Sequence, residues 1–220
     1  MAKAASGPGA EGPDAIVRAA FDLAARLGWR HVTLADIAGE AKLGLAELYA
    51  AYPSKDAILA AHTRAIDAQV LAGAEAPLEE ESVKDRLFDA LMRRFDAMKP
   101  QRDGIAAILR DGAEGPVSML CGAARLLRSM AWTLESVGVS ASGPAGALKA
   151  KGLLAVYLGT LRVWLRDDTQ DLSRTMAALD KRLARAEQFA STLFGGRRSR
   201  TPPPEAPPPE AAQGEPVSPA

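Results

Sequence analysis

Between residues 14 and 194 the apolar side chains recur at steps of three and four, in stripes cut apart by glycine and proline. A period near 3.6 gathers each stripe on one face of a helix, whereas a strand needs a period of two. Leu, Ala, Arg and Met dominate these segments and runs of β-branched residues are scarce, which favours helix over strand. The chain is therefore expected to be all-α. Its 220 residues allow one domain, or a small one followed by a larger one, with a core that needs no disulfide or metal.

Local punctuation sets the element boundaries. Residues 14–27 place Ile16, Ala20, Leu23, Ala24 and Leu27 on one stripe, and Gly28 ends the helix. Thr33 is an N-cap for a helix over 34–40, with Asp36 at the capping-box position. A short polar break leads to a second short helix over 45–51, stopped by Pro53. Ser54 caps a longer helix over 55–71, and Gly73 and Pro77 mark a linker. Five further helices are expected over 82–98, 101–110, 117–137, 144–165 and 168–194. This gives a helix-turn-helix domain over 14–72 and a helical domain over 79–194. Residues 1–13, rich in Ala, Gly and Pro, read as a flexible arm. Residues 197–220 hold eight prolines in the last 20 positions and read as a disordered or polyproline II tail.

The stretch TLADIAGEAKLGLAELYAAYPSKDAIL (residues 33–59) carries the most specific signal. Two short helices joined tightly after a longer one is the helix-turn-helix plan. Thr33, Ile37, Ala38, Ala41, Leu48, Tyr49, Tyr52 and Lys55 resemble the DNA-binding motif of the TetR family. That resemblance implies a homodimer that binds a palindromic operator and releases it when a ligand fills the second domain. Ile37, Ala38, Leu48 and Tyr52 have the packing of three helices as their first task, so they speak for fold. Thr33, Lys42, Tyr49 and Lys55 are the candidate phosphate contacts, by donor type and helix-end position. Leu45, Ala46 and Glu47 are the candidate base-facing residues, with Glu47 able to accept from a cytosine amine and Ala46 able to touch a thymine methyl.

Charge bears on this reading. Lys plus Arg and Asp plus Glu both number 27, which excludes a strongly basic chain but not a local basic patch. Residues 1–70 hold seven Lys or Arg against eight Asp or Glu. The expected recognition helix has no Arg, Asn or Gln, the side chains that read bases in bidentate fashion.

In the second half, three stretches resemble the COQ9 family: DRLFDALMRRFDAMKPQRDGI (85–105), RSMAWTLESVGV (128–139) and KGLLAVYLGTLRVWLRDDTQDLSRTMAALDKRLARAE (151–187). This resemblance implies a TetR-like dimeric fold that holds a lipid or isoprenoid and assists a quinone-pathway protein partner. The final amphipathic helix of eukaryotic members has no counterpart after Phe194. Read from the residues, Met92, Phe95, Met119, Met130, Trp132, Tyr157, Trp164 and Met176 are the candidate lining of an apolar ligand pocket, because methionine and aromatic rings adapt to irregular apolar ligands. The same residues suit an ordinary bundle core. Gly104, Gly122, Gly152 and Gly159 lie in or beside helices, which calls for close helix approach or room for a ligand.

No nucleophile with a base, no paired acids and no phosphate loop stand out, so the chain is expected to be non-enzymatic and without a cofactor. Two histidines and the lone Cys121, expected as a small core residue, offer no zinc set. No uninterrupted run of 18 apolar residues is present, and the start does not read as a signal peptide, so a cytoplasmic protein without a transmembrane segment is expected. The leading functional expectation is a ligand-responsive transcriptional regulator that binds operator DNA as a homodimer. The alternative is a COQ9-like, non-enzymatic lipid-binding accessory protein of ubiquinone biosynthesis.

Overall fold

The computed structural model describes residues 11–74, 81–111 and 116–194. Over these residues the molecule is all-α: an N-terminal helix-turn-helix unit followed by a C-terminal helical bundle. The helices are α1 (Glu11–Leu27), α2 (Leu34–Glu40), α3 (Leu45–Ala51), α4 (Lys55–Ala72), α5 (Val83–Met98), α6 (Arg102–Asp111), α7 (Pro116–Ser136), α8 (Gly143–Trp164) and α9 (Ser173–Phe194). The readings of residues 1–10 and 197–220, and of Pro77 in the linker, fall outside the described residues.

Side-chain N-caps open α2, α4 and α5. Thr33 Oγ1 accepts from Asp36 N–H at 3.1 Å, and Asp36 Oδ2 accepts from Thr33 N–H at 2.9 Å, which completes the expected capping box. Ser54 and Ser82 cap α4 and α5 by accepting from Ala57 and Asp85 N–H. Two departures from the sequence reading stand beside the 3₁₀ turn Lys99–Gln101 that joins α5 to α6. A 3₁₀ turn, Trp29–His31, follows Gly28 and buries Trp29. The last helix starts at Ser173 rather than at 168. Leu172 has φ 55 and cannot continue a helix, and Asp167, Thr169 and Asp171 hold the preceding turn by accepting backbone N–H groups. Buried Asp167 accepts four bonds in all, from the N–H and hydroxyl groups of Thr169 and Thr175. Burial opposes ionisation of its carboxyl, yet these bonds prevail and lower its pKa to about 2.

The two units interlock through α4 and α6. Ile58 near the start of α4 lies in the N-terminal core with Ile16, Ile37 and Leu48, while Ile66 and Val70 further along lie in the bundle core with Leu91, Phe95 and Trp164. Ala107 of α6 belongs to the N-terminal core although its helix belongs to the second unit. At Gly104 a Cβ would lie 2.5 Å from the Phe21 carbonyl oxygen, so α6 crosses α1 backbone against backbone. Close approach is thus the reason for this glycine. Gly122 and Gly152 face open space, and Gly159 lies under the Arg182 guanidinium. Cys121 and Leu27 are corrections, since both are exposed. The stripe of α1 ends before its last residue, and the first turns of α7 present Leu120 and Cys121 outward.

Candidate functional site

The turn between α2 and α3 shapes the surface that a helix-turn-helix offers to DNA. Leu43 N–H donates to the Ala38 carbonyl and Lys42 N–H to the Gly39 carbonyl, at 2.9 and 3.1 Å. This pair of bonds is a Schellman closure, and it puts Lys42 at φ 57, in the left-handed region that glycine favours. Leu43 packs against the core and Lys42 projects outward. Gly44 then opens α3. It has no side chain with which to cap, and Glu47 Oε2 accepts its N–H at 2.7 Å.

Three of the seven residues expected at DNA have their polar atoms engaged in local structure. The Thr33 hydroxyl closes the capping box and donates to Asp36 at 2.6 Å. Glu47 holds the start of α3. Half-buried Lys55 donates to the carbonyls of Trp29 and Val32 at 2.8 and 2.9 Å and stands 4.4 Å from the Trp29 ring centroid. Its ammonium thereby ties α4 to the 3₁₀ turn. Lys42, Leu45, Ala46 and Tyr49 remain exposed together. Leu45 is 56% and Tyr49 69% exposed, so the outer face of α3 is largely apolar.

Under this surface lies a cavity of about 680 Å³, in the range of small-molecule sites. Trp29, Leu34 and Lys55 form its wall on the helix-turn-helix side, and Tyr157, Leu158 and Leu161 of α8 form the wall on the bundle side. Ile105 and Ile108 of α6 and Gly122 and Leu126 of α7 complete it. The absent side chain of Gly122 leaves space there. Of the eight residues expected to line a pocket, Tyr157 lines this one. Phe95, Met130 and Trp164 are fully buried in the bundle core, where Phe95 packs 5.7 Å from Tyr157 and 5.8 Å from Trp164 between ring centroids. Met92 packs against that core, Met176 is half-buried and Trp132 is exposed. The Met119 side chain falls outside the described residues.

The buried end of the cavity is polar. Arg94, 2% exposed, pairs with Asp67, whose Oδ1 also accepts from the Ser129 hydroxyl at 2.6 Å. Arg94 Nε has no hydrogen-bond partner, and neither has His62 Nε2. The Tyr157 hydroxyl donates to the Met98 thioether at 3.4 Å, a poor acceptor. The His62 ring packs on Phe21 with centroids 4.3 Å apart. Burial lowers the His62 pKa to about 4, against a hydrogen bond to the Gln101 side chain that raises it, so the ring is neutral at pH 7. Burial raises the Tyr157 pKa, which keeps its hydroxyl a donor. Sequence reasoning missed His62 and Arg94. Each falls at an ordinary helical position, and the pairing that gives it meaning spans different helices.

Among the described residues, no three His, Cys, Asp or Glu side chains are placed to hold a metal, and no helix is long and apolar enough to cross a membrane. Residues 16–62 match the model of the family described as bacterial regulatory proteins, tetR family. A TetR transcriptional regulator from Nitrosomonas europaea ATCC 19718 superposes with a TM-score of 0.66 at 26% identity, covering 80% of this chain and 98% of that one. This chain has the TetR-regulator fold. Two further TetR structures share that fold at lower identity. One, from Rhodococcus sp. RHA1, has a TM-score of 0.60 at 16% identity, covering 80% of this chain and 95% of that one. The other, from Streptomyces coelicolor, has a TM-score of 0.59 at 17% identity, covering 84% of each chain. The comparison with curated proteins gives no match. The COQ9 resemblance of the second half receives no support from these matches; what they support is a TetR-like architecture.

Proposed function

We propose that this chain is a ligand-responsive transcriptional regulator that binds operator DNA as a homodimer. The observation that carries the reading is the shared cavity, because Trp29, Leu34 and Lys55 of the DNA-facing unit and Tyr157 and Leu161 of the bundle wall the same space. A molecule that fills it touches both units, so its binding free energy is coupled to the placement of α2 and α3. The coupling runs both ways. On DNA, Lys42 supplies a phosphate contact and the Tyr49 hydroxyl a second, while Leu45 and Ala46 lie against thymine methyls. Thr33, Glu47 and Lys55 act one step back, holding the two helices in register. The dimer forms through α8 and α9, where Leu148, Gly152 and Ala155 face outward and an apolar groove of about 350 Å³ runs between Leu148, Leu183 and Phe189.

The test is binding of the purified full chain to DNA upstream of its own gene, read by fluorescence anisotropy across a salt series. Specific binding that weakens with salt supports the reading. Lys42→Ala then lowers the salt slope by about one per protomer. One observation favours a second reading, the non-enzymatic lipid-binding accessory protein of ubiquinone biosynthesis. It is the apolar outer face of α3, with Leu45 and Tyr49 exposed and no Arg, Asn or Gln. Failure to bind any upstream fragment, together with isoprenoid lipid carried through purification, would replace the first reading by the second.

A further inference from the structure

The buried end of the cavity limits the chemistry of what fills it. Its donors outnumber the acceptors they reach. Arg94 Nε–H has no acceptor, and the Tyr157 hydroxyl, whose oxygen lies beside the Arg94 guanidinium, donates only to a thioether sulfur. The two residues are neighbours, with the Arg94 guanidinium carbon 5.7 Å from the Tyr157 ring centroid. A buried donor without an acceptor is destabilising, and a ligand oxygen placed between these two relieves both.

The charges at this end are already balanced. The Arg94 cation is paired with Asp67, and Ser129 takes up a further lone pair of that carboxylate. His62 is neutral, held so by burial against Phe21 and by the nearby Arg94 cation. The remaining charges of the lining, Lys55, Asp56 and Arg125, lie nearer the exposed rim, where Arg125 stands 3.9 Å from Asp56. A ligand carboxylate at the buried end therefore brings an anion with no unpaired cation to offset its desolvation. A carbonyl oxygen meets the same donors and adds no charge. The rest of the lining around it is apolar: Ile66, Met98, Ile105, Leu154 and Leu161.

We infer that the effector is an uncharged apolar molecule bearing a carbonyl-type oxygen, which accepts from Tyr157 and Arg94 at the buried end while its apolar body runs towards Trp29 and Leu34. The inference rests on reading the cavity as the effector site. It adds to that reading the class of molecule and the two residues that select it.

Three probes with one apolar body separate the possibilities: 2-acetylnaphthalene, 2-ethylnaphthalene and 2-naphthoate, each titrated into the full chain at pH 7.5 by calorimetry. The ketone is expected to bind roughly three- to tenfold tighter than the hydrocarbon, the worth of one or two net hydrogen bonds. The carboxylate is expected to bind more weakly than both. Tyr157→Phe should shrink the ketone's advantage over the hydrocarbon, since it removes the hydroxyl that donates to the ketone oxygen. Leu154→Trp, which fills the cavity, should abolish binding of all three. Equal affinity for ketone and hydrocarbon, tightest binding of the carboxylate, or no binding of any probe overturns the inference. The regulator reading is judged separately on the upstream DNA. Release of DNA by ketone and hydrocarbon alike leaves that reading in place while removing this inference, and ketone preference without any DNA binding does the reverse.

Discussion

In the helix-turn-helix unit, Thr33, Glu47 and Lys55 turn their polar atoms back onto nearby backbone, whereas at the heart of the molecule Arg94, His62 and Trp164 each keep a buried nitrogen without a partner. The first region is small, and self-satisfaction makes it rigid without a large core. The second buries far more apolar surface and tolerates unpaired donors next to a cavity. Under the proposed function, rigid elements suit a surface that keeps its geometry on DNA, and unpaired donors suit a ligand site. The two regions also close helices differently. At the end of α7, Gly138 takes the left-handed position of a Schellman turn at φ 79; at the end of α2 the same position is occupied by Lys42. Backbone strain at an exposed cation between the two helices is consistent with selection for the charge.

Substitutions in both regions sharpen the contrast. The largest effect is expected from Arg94→Met, which leaves the Asp67 carboxylate without its cation and should lower stability by about 3–5 kcal/mol in urea unfolding. Arg94→Met combined with Asp67→Leu should recover most of that loss. In the helix-turn-helix unit, by comparison, volume rather than charge is decisive, and Leu48→Ala should cost about 2–5 kcal/mol with no such rescue. If the double variant is no more stable than the single one, charge is not what distinguishes the bundle.

The next effect is acid sensitivity through His62. Its folded pKa lies below the unfolded value, so the unfolded state binds the proton more readily. The stability contributed by the neutral ring is present above about pH 6.5 and is lost as pH falls towards about 4. His62→Phe, which retains the packing on Phe21, should flatten the urea midpoint over that window, a difference of about 2–3 kcal/mol at its acid end.

Gly104→Ala should cost about 1–3 kcal/mol, because its Cβ meets the Phe21 backbone, whereas Gly122→Ala meets nothing and should gain up to about 1 kcal/mol from helix propensity. Thermal melts of the pair check this difference, and equal melting temperatures would contradict a backbone-against-backbone α1–α6 crossing. The smallest effect is Lys42→Gly, which relieves the left-handed strain and should stabilise by about 1 kcal/mol or less while weakening DNA binding. Raised stability with unchanged DNA affinity would remove Lys42 from the interface.

Much of the fold was legible in the residues. Thr33 and Asp36, Ser54, Pro53 and Gly28 mark helix ends through interactions within a turn or two of themselves, and α2 and α3 fall where those signals place them. One boundary was hidden for a physical reason. The start of α9 is delayed by side chains of Asp167, Thr169 and Asp171 that act together only once folded. The site was less legible. Methionine and aromatic content points to an apolar interior but does not separate lining from core, so Phe95, Met130 and Trp164 share the composition of a pocket while filling the core beside one. Exposure of Cys121 was hidden likewise, since a helical stripe shows which residues share a face and not whether a neighbour covers that face.

The sequence by itself determined that the chain is helical, where most helices begin and end, and that residues 33–59 form a helix-turn-helix. Those features depend on periodicity and capping, and both act over a few residues. Tertiary structure alone decided that α4 serves two cores, that Lys55 is held on the Trp29 and Val32 carbonyls, and that Arg94, His62 and Tyr157 meet at the end of one cavity. Those three side chains come from α4, α5 and α8, up to 95 positions apart (His62 to Tyr157). No local interaction connects them. Their meeting is fixed by how the helices pack, a property of the whole set of faces rather than of any one of them.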